Sequence, residues 1–301
     1  MRTPELNDPA PARRLVHFTP LRYPGGKGKL ASFVKALIEV NALSDCEYVE
    51  PYAGGAAIAF ELLIQEYVTR IHINDISRPV YAFWRSVLDH TDQLTRMVRD
   101  APLTVQFWDK QKLIMANPDD HDDLALGFAT FFLNRTNRSG ILNGGIIGGR
   151  DQSGPWKIDA RFNAPELIHR IQGIAKLRRR INLSREDAHA FLSARLKTFP
   201  KNSLIYLDPP YYVKGKDLYC DYYSHDDHIR VAKLVTERVH LQRWVVSYDD
   251  VPAVRKMYAG CPRLVYKIGY SAREVREGSE VMFFCSHLQI PQPTGAMHPR
   301  R

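Results

Sequence analysis

The sequence predicts an open α/β fold, a sheet of strands alternating with helices and interrupted by an inserted, mostly helical segment. Three observations carry this. Short apolar strands followed by helix-forming runs fill residues 47 to 90. The same alternation returns between residues 203 and 285. Between them lies a stretch of different composition, where from Asn134 to Arg180 ten Lys or Arg stand against three Asp or Glu.

The first unit begins after a helical segment. Glu47 to Glu50 is a short strand that runs into Pro51-Tyr52-Ala53-Gly54-Gly55. Helix formers follow from Ala56 to Val68, giving strand, turn and helix. Arg70 to Ile76 alternates apolar and polar residues like a half-buried strand, and a helix follows from about Arg78 to His90. In the second unit Ser203 to Leu207 is a compact strand that stops at Asp208-Pro209-Pro210-Tyr211. His225 to His240 reads as a helix and Arg243 to Ser247 as a strand. Leu264 to Tyr270 and Glu280 to Cys285 form a terminal strand pair. The middle is helical and then loop-like, with a dense run of Asn, Arg and Gly from Asn134 to Gly154, which suggests a separate lobe.

Composition sets the bounds. The chain has 301 residues, 45% of them hydrophobic, enough for one packed core and a smaller lobe. Its formal charge of +9 favours a polyanionic partner without naming one. Cys46, Cys220, Cys261 and Cys285 stand far apart, which argues against a zinc knuckle or a disulfide scaffold and for a reducing, cytoplasmic setting. No apolar run approaches the ~20 residues of a membrane span. Residues 1–18 and 289–301 are Pro-rich and read as flexible tails.

Asp208-Pro209-Pro210-Tyr211 is the sharpest motif. Two prolines cannot continue a sheet, so they force a rigid turn at the strand's carboxyl end, where open α/β sheets bind ligands. The turn offers a carboxylate, a backbone carbonyl and an aromatic ring. An amine conjugated to a heteroaromatic ring is a poor nucleophile; two acceptors holding its hydrogens would localise the lone pair, and Tyr211 could stack on the base. A plain strand-ending loop with a capping Asp accounts for four residues as well. The second motif is Glu50 to Gly55 with Asp75 twenty residues past Gly55, a spacing at which an acid typically meets ribose hydroxyls. Asp75 also precedes a helix, so a capping role is the competing reading. Arg22-Tyr23-Pro24-Gly25-Gly26-Lys27 alone is a basic turn. His225-Asp226-Asp227-His228 looks like a metal cluster, but acids are favoured at a helix start and that is the reading adopted.

In this order the segments RYPGGK, VEPYAGG, the acid after the second strand, Phe132-Leu133-Asn134-Arg135 with SGILNGG, and DPPY resemble the Dam-type adenine-specific DNA methyltransferases, over roughly Leu21 to Cys285. The resemblance implies a Rossmann-like S-adenosylmethionine-dependent methyltransferase sheet with an inserted, mostly helical target-recognition lobe. It implies a cofactor half over 19–90, a recognition insertion over 91–166 and a catalytic half over 167–288. It implies transfer of a methyl group from S-adenosyl-L-methionine to the N6 amine of adenine in double-stranded DNA, with the base flipped out and no metal. Asp208, Pro209, Pro210 and Tyr211 match the catalytic turn. Tyr23, Lys27, Glu50, Tyr52, Gly54, Gly55, Asp75, Asp187 and Asp208 match the cofactor pocket. Ala56 and Ala57 depart from the pattern, standing where relatives often carry further glycine. Arg135, Asn137, Arg138, Asn143, Arg150 and Arg161 are candidate DNA contacts, since Arg suits guanine and Asn suits adenine, though Arg contacts to phosphate or a solvated charge fit the same residues. Arg178-Arg179-Arg180 reads as a helix face or a phosphate patch. A restriction or defence nuclease is a possible partner. The competing readings are methylation of a cytosine amine or of RNA adenine, and a catalytically silent DNA-binding module.

Overall fold

The computed structural model describes residues 18–22, 27–213, 223–238, 242–269, 277–293 and 297–299. The described strands form one eight-stranded sheet in the order β3-β2-β1-β4-β5-β7-β6-β8. These strands are β1 (Cys46–Glu50), β2 (Val68–Asn74), β3 (Ile181–Ser184), β4 (Leu204–Leu207), β5 (Arg243–Asp249), β6 (Arg263–Gly269), β7 (Glu277–Phe284) and β8 (His298–Pro299). The first five are parallel, and β7 inserts antiparallel between β5 and β6. Strand order reverses between β1 and β4. In an open parallel sheet that is where a crevice opens beyond the carboxyl ends.

Burial explains which residues became strands. All four residues of β4 are buried, as are Trp244 to Tyr248 in β5, as expected of strands covered on both faces. Helices α1 (Ala31–Val40), α2 (Ala57–Ile64) and α3 (Arg78–Asp89) follow the expected alternation, with Pro79 in the first turn of α3, where its missing N–H is harmless. Between β2 and β3 the chain is helical: α4 (Thr91–Arg99), α5 (Val105–Ala116), α6 (Asp123–Thr136) and α7 (Ala164–Ala175). Thr104 caps α5, Asp122 caps α6 and Asn163 caps α7 through their side-chain oxygens. Helix α8 (Ala188–Arg195) precedes β4, and α9 (His225–Lys233) and α10 (Pro252–Met257) flank β5.

Three expectations change. The insertion is not a detached lobe: α6 lies on α3, and Phe128, Phe131 and Phe132 belong to the same apolar cluster as the sheet. The Phe83 and Phe131 rings stack at 5.7 Å. Gly127 permits this approach, because a Cβ there would stand 2.4 Å from Ser86 Oγ and 2.5 Å from the Ala82 carbonyl. The end of the chain is docked in its described parts. Asn41 holds both backbone groups of Gln289, Met297 is buried, and His298–Pro299 pair with β6. The helix from His225 stays α-helical only to Lys233 and continues as a π turn over Leu234–Arg238. His225 to His228 do open that helix, through a reciprocal capping box between Ser224 and Asp227. Among the described residues no helix is long and apolar enough to cross a membrane.

Candidate active site

The reversal of strand order brings the two sharpest motifs side by side. Glu50 ends β1 and Asp208 follows β4, its pairing neighbour. Beyond β1 the backbone turns through Gly54 at φ 47° and Ala56 at φ 46° before entering α2. The left-handed region suits glycine at the first position; at the second an alanine carries about 1–2 kcal/mol of strain. The turn is over-determined by its neighbours. The Gly54 N–H donates to Asp75 Oδ2 (2.7 Å) and the Ser77 N–H to Asp75 Oδ1 (3.0 Å). Trp84 Nε1 donates to the Gly54 carbonyl (2.8 Å), and Thr19 Oγ1 to the Gly55 carbonyl (2.6 Å). Asp75 therefore braces the glycine turn, whatever it also binds. Asn74 ties the ends of β1, β2 and β3 together, donating to the carbonyls of Pro51 and Glu186 and accepting from the Glu186 N–H.

Glu50 is buried and accepts a hydrogen bond from Tyr48 Oη (2.9 Å). Burial pushes its carboxyl up to about 8, against the pull of the Tyr48 bond and with a further push from the Asp208 charge. Tyr52 meets Tyr223 hydroxyl to hydroxyl at 3.1 Å. Asp187 is the N-cap of α8, with Oδ1 accepting the Ala190 N–H (3.0 Å).

Asp208 stands at the centre. Its Oδ1 accepts from Ser247 Oγ (2.7 Å) and faces Lys27 Nζ at 3.7 Å. Tyr206 and Ser247 meet hydroxyl to hydroxyl at 3.0 Å. Among the described residues nothing hydrogen-bonds to Oδ2, and the side chain keeps 24% of its surface accessible. Burial raises the carboxyl to about 6; the Lys27 charge and the Ser247 bond pull it down, and the Glu280 charge pushes it up. The carboxylate form therefore prevails at neutral pH.

The Pro-Pro turn is anchored from β5. Asp249 accepts the N–H groups of Tyr212 (2.8 Å) and Val213 (3.1 Å), one on each oxygen. Pro209 is buried and Pro210 half-buried. Tyr211 is 9% exposed, and its hydroxyl accepts from Lys27 Nζ (2.9 Å) and donates to Glu280 Oε1 (2.8 Å). Tyr211 is thus a fixed wall of the site instead of the open stacking platform expected from sequence. Lys27 is buried, and its ammonium also donates to both Glu280 oxygens (2.8 and 2.9 Å). Tyr23, expected beside Lys27, lies outside the described residues.

Sequence reasoning missed Glu280, Ser247, Asp249 and Tyr206. The available signal was periodicity: Ser247 sits inside an otherwise apolar strand, and Glu280 shares a strand face with Met282. The register then places Tyr266 opposite Glu280.

The candidate DNA contacts divide. Asn137 is fully buried; it accepts from Trp108 Nε1 (2.7 Å) and donates to the carbonyls of Ile141 and Leu142 (2.9 Å each). Its amide is spent on the fold, so it cannot read a base as placed. Arg135 is half-buried, with Nε on the Arg161 carbonyl (2.7 Å), and burial with Arg22, Arg170 and Arg161 nearby lowers it to about 9. Arg138, Asn143, Arg150 and Arg161 are exposed, Arg150 in a bidentate pair with Asp109 (2.8 Å). A cavity of about 430 Å³ opens here between Arg138, Gly148, Asp151 and Trp156, and Trp156 is 68% exposed. Asn134 clamps the segment leading to Lys27, accepting the Arg22 N–H (2.7 Å) and donating to the Arg22 carbonyl (3.0 Å).

A Rossmann-like sheet of this order, with an Asp-Pro-Pro-Tyr turn and a glycine turn meeting at the strand reversal, defines a methyltransferase. Comparison with known families makes this specific. The model of the D12 class N6 adenine-specific DNA methyltransferases matches residues 23–272, and the chain belongs to that family. It is an adenine-specific DNA methyltransferase. Among curated proteins it is 23% identical to the type II methyltransferase M.MjaIII of Methanocaldococcus jannaschii over 236 residues, covering 71% of this chain and 77% of that protein. Among solved structures it is similar to the rRNA methyltransferase aviRa of Streptomyces viridochromogenes, at 12% identity and a TM-score of 0.37, covering 88% of this chain and 87% of that one. It is also similar to the Legionella pneumophila protein LPL1258, at 11% identity and a TM-score of 0.32, covering 87% and 86%.

Proposed function

We propose that this enzyme uses S-adenosyl-L-methionine to methylate the N6 amine of a flipped adenine at a specific site in double-stranded DNA. The observation that carries the reading is Asp208: one carboxylate oxygen is fixed by Ser247 and Lys27, and the other is left for a ligand.

The residues suit the donor. Acidic side chains at the ends of β1, β2 and β4, Glu50, Asp75 and Asp208, match a ligand that carries a cation and ribose hydroxyls, with Asp208 the charged partner and Glu50 a protonated hydrogen-bonding one, and the Gly54-Gly55 turn lets it approach the backbone. When bound, the donor supplies an electrophilic sulfonium methyl group. Lys27, Glu50, Tyr52, Gly54, Gly55, Asp75, Asp187 and Asp208, with Tyr23, form the pocket in this reading. Asp208 Oδ2 and the Pro209 carbonyl accept the two amine hydrogens. The nitrogen then pyramidalises, its lone pair forms the new N–C bond as the methyl–sulfur bond breaks, and the surplus proton leaves toward Asp208. Lys27 favours the ionised carboxylate in surroundings that disfavour it.

Recognition belongs to residues 91–166, narrowed to the exposed loop of Arg138, Asn143, Arg150 and Arg161; Arg135 acts as a phosphate contact. The similarity to a type II methyltransferase supports a site-specific modifying role beside a cognate nuclease. The test is incubation of the protein with a mixture of duplex DNA and RNA and labelled S-adenosylmethionine, followed by separation of the two and nucleoside mass spectrometry. N6-methyldeoxyadenosine is expected. Methyl-cytosine, label confined to RNA, or no transfer at all would overturn the reading.

A further inference from the structure

We propose that Glu280 is a positioning residue for methyl transfer, holding Lys27 and Tyr211 in place and setting the charge that Asp208 faces. This rests on the function proposed above. Glu280 is 2% exposed on β7, far along the chain from every recognised motif. Its carboxylate receives hydrogen bonds from three separate elements. Lys27 Nζ, from the turn before α1, donates at 2.8 and 2.9 Å, Tyr211 Oη of the Pro-Pro turn at 2.8 Å, and Tyr266 Oη of β6 at 2.6 Å.

A buried carboxylate is costly unless paired and fully hydrogen-bonded, and Glu280 meets both conditions. What it organises is the catalytic turn. Tyr211 and Lys27 are part of one closed triangle with Glu280, so the turn's aromatic ring and the lysine beside Asp208 are fixed by the same group. Lys27 is shared between two carboxylates, Asp208 at 3.7 Å and Glu280 at 2.8 Å. Asp208 is faced by Lys27 from the first turn, Tyr48 and Glu50 from β1, and Tyr206 from its own strand. Tyr211, Ser247 from β5 and Glu280 from β7 complete its surroundings. Of these, Glu280 is the second carboxylate on the shared ammonium. Removing its charge gives Lys27 to Asp208 alone, which favours the ionised Asp208.

The experiment is the pH dependence of turnover between pH 5 and 9, using duplex DNA and S-adenosylmethionine, for the wild type and Glu280→Gln. In the variant the acid limb moves to lower pH, because the Asp208 carboxyl loses a negative neighbour. Turnover above the limb falls about 10-fold or more as Tyr211 and Lys27 lose their anchor, while KM for DNA stays within about threefold. Tyr266→Phe removes one donor from the Glu280 carboxylate but leaves its charge, so the ammonium is drawn further toward Glu280 and the limb is expected to move the opposite way, to higher pH, by less. It serves as the test if Glu280→Gln does not fold. An acid limb unmoved in the folded variant overturns the proposal, whatever the loss of rate. A wild type that transfers no methyl group to DNA instead defeats the function on which the proposal rests.

Discussion

The centre around Asp208 and the loop from Arg138 to Arg161 use charge in opposite ways. At the centre the ionisable groups are enclosed. Lys27 and Glu280 are buried, bonded to each other, and tied into a network that reaches Asp208. In the loop the cations stand in solvent; Arg150, paired with Asp109, forms a surface pair worth little to stability. The lesson is that a buried network can fix one geometry for chemistry, whereas an exposed cationic loop stays available for a polyanion. Asn137 marks the border: it sits inside the recognition segment and is spent entirely on holding that segment's turn.

The contrast can be broken most sharply at Asp208. Asp208→Asn keeps the shape and removes the acceptor charge, so turnover should fall by about 10²–10³-fold while DNA and donor affinities stay within a few-fold, as read by single-turnover kinetics and binding titration. A variant that kept wild-type turnover would remove Asp208 from the chemistry. Next in size is Asn137→Ala, which strands the Trp108 indole N–H and the Ile141 and Leu142 carbonyls. A stability loss of about 2–3 kcal/mol in denaturant titration is expected. If instead stability held and DNA binding alone weakened, Asn137 would belong with the readers.

Glu50 offers a pH test of the buried side. Its folded carboxyl lies near 8 against an ordinary value of 4.5, so the folded state retains a proton that the unfolded chain has lost. Stability from this group is present below the unfolded value and is lost as pH rises through the folded one. Glu50→Gln should therefore gain melting temperature relative to wild type as pH is raised from 5 to 9. An equal offset across that range would contradict the assignment. The smallest effect belongs to the loop. Arg150→Ala should weaken DNA binding uniformly across sequences and reduce the salt dependence by about one ion, with turnover at saturating DNA unchanged.

Much of this was legible in the sequence. The strands at Cys46–Glu50 and Leu204–Leu207 announce themselves as apolar runs ended by Gly or Pro, and those ends carry Glu50 and Asp208. The acids of His225 to His228 fit the helix start expected there, Asp227 closing the capping box with Ser224, whereas the capping role of Asp187 was not read from the sequence. Glu280 was not legible as functional. It reads as a polar residue at the head of an apolar strand, and its partners lie 253 positions away at Lys27 and 69 at Tyr211. Only the antiparallel insertion of β7 beside β5 brings them together. Asn137 misled for the opposite reason. An Asn among Arg and Gly has the composition of a reader, and only the tertiary contact with Trp108 shows its amide to be occupied. Burial of α6 against α3 was hidden too, because the Phe128 to Phe132 run fits a small lobe as well as a shared core.

The most direct test of the central claim is a crystal structure of the enzyme with a duplex containing its target adenine and a non-reactive S-adenosylmethionine analogue. The account predicts the adenine extruded, with N6 within hydrogen-bonding distance, about 2.6–3.2 Å, of Asp208 Oδ2. An adenine still stacked in the duplex, or an amine turned away from Asp208, would contradict it.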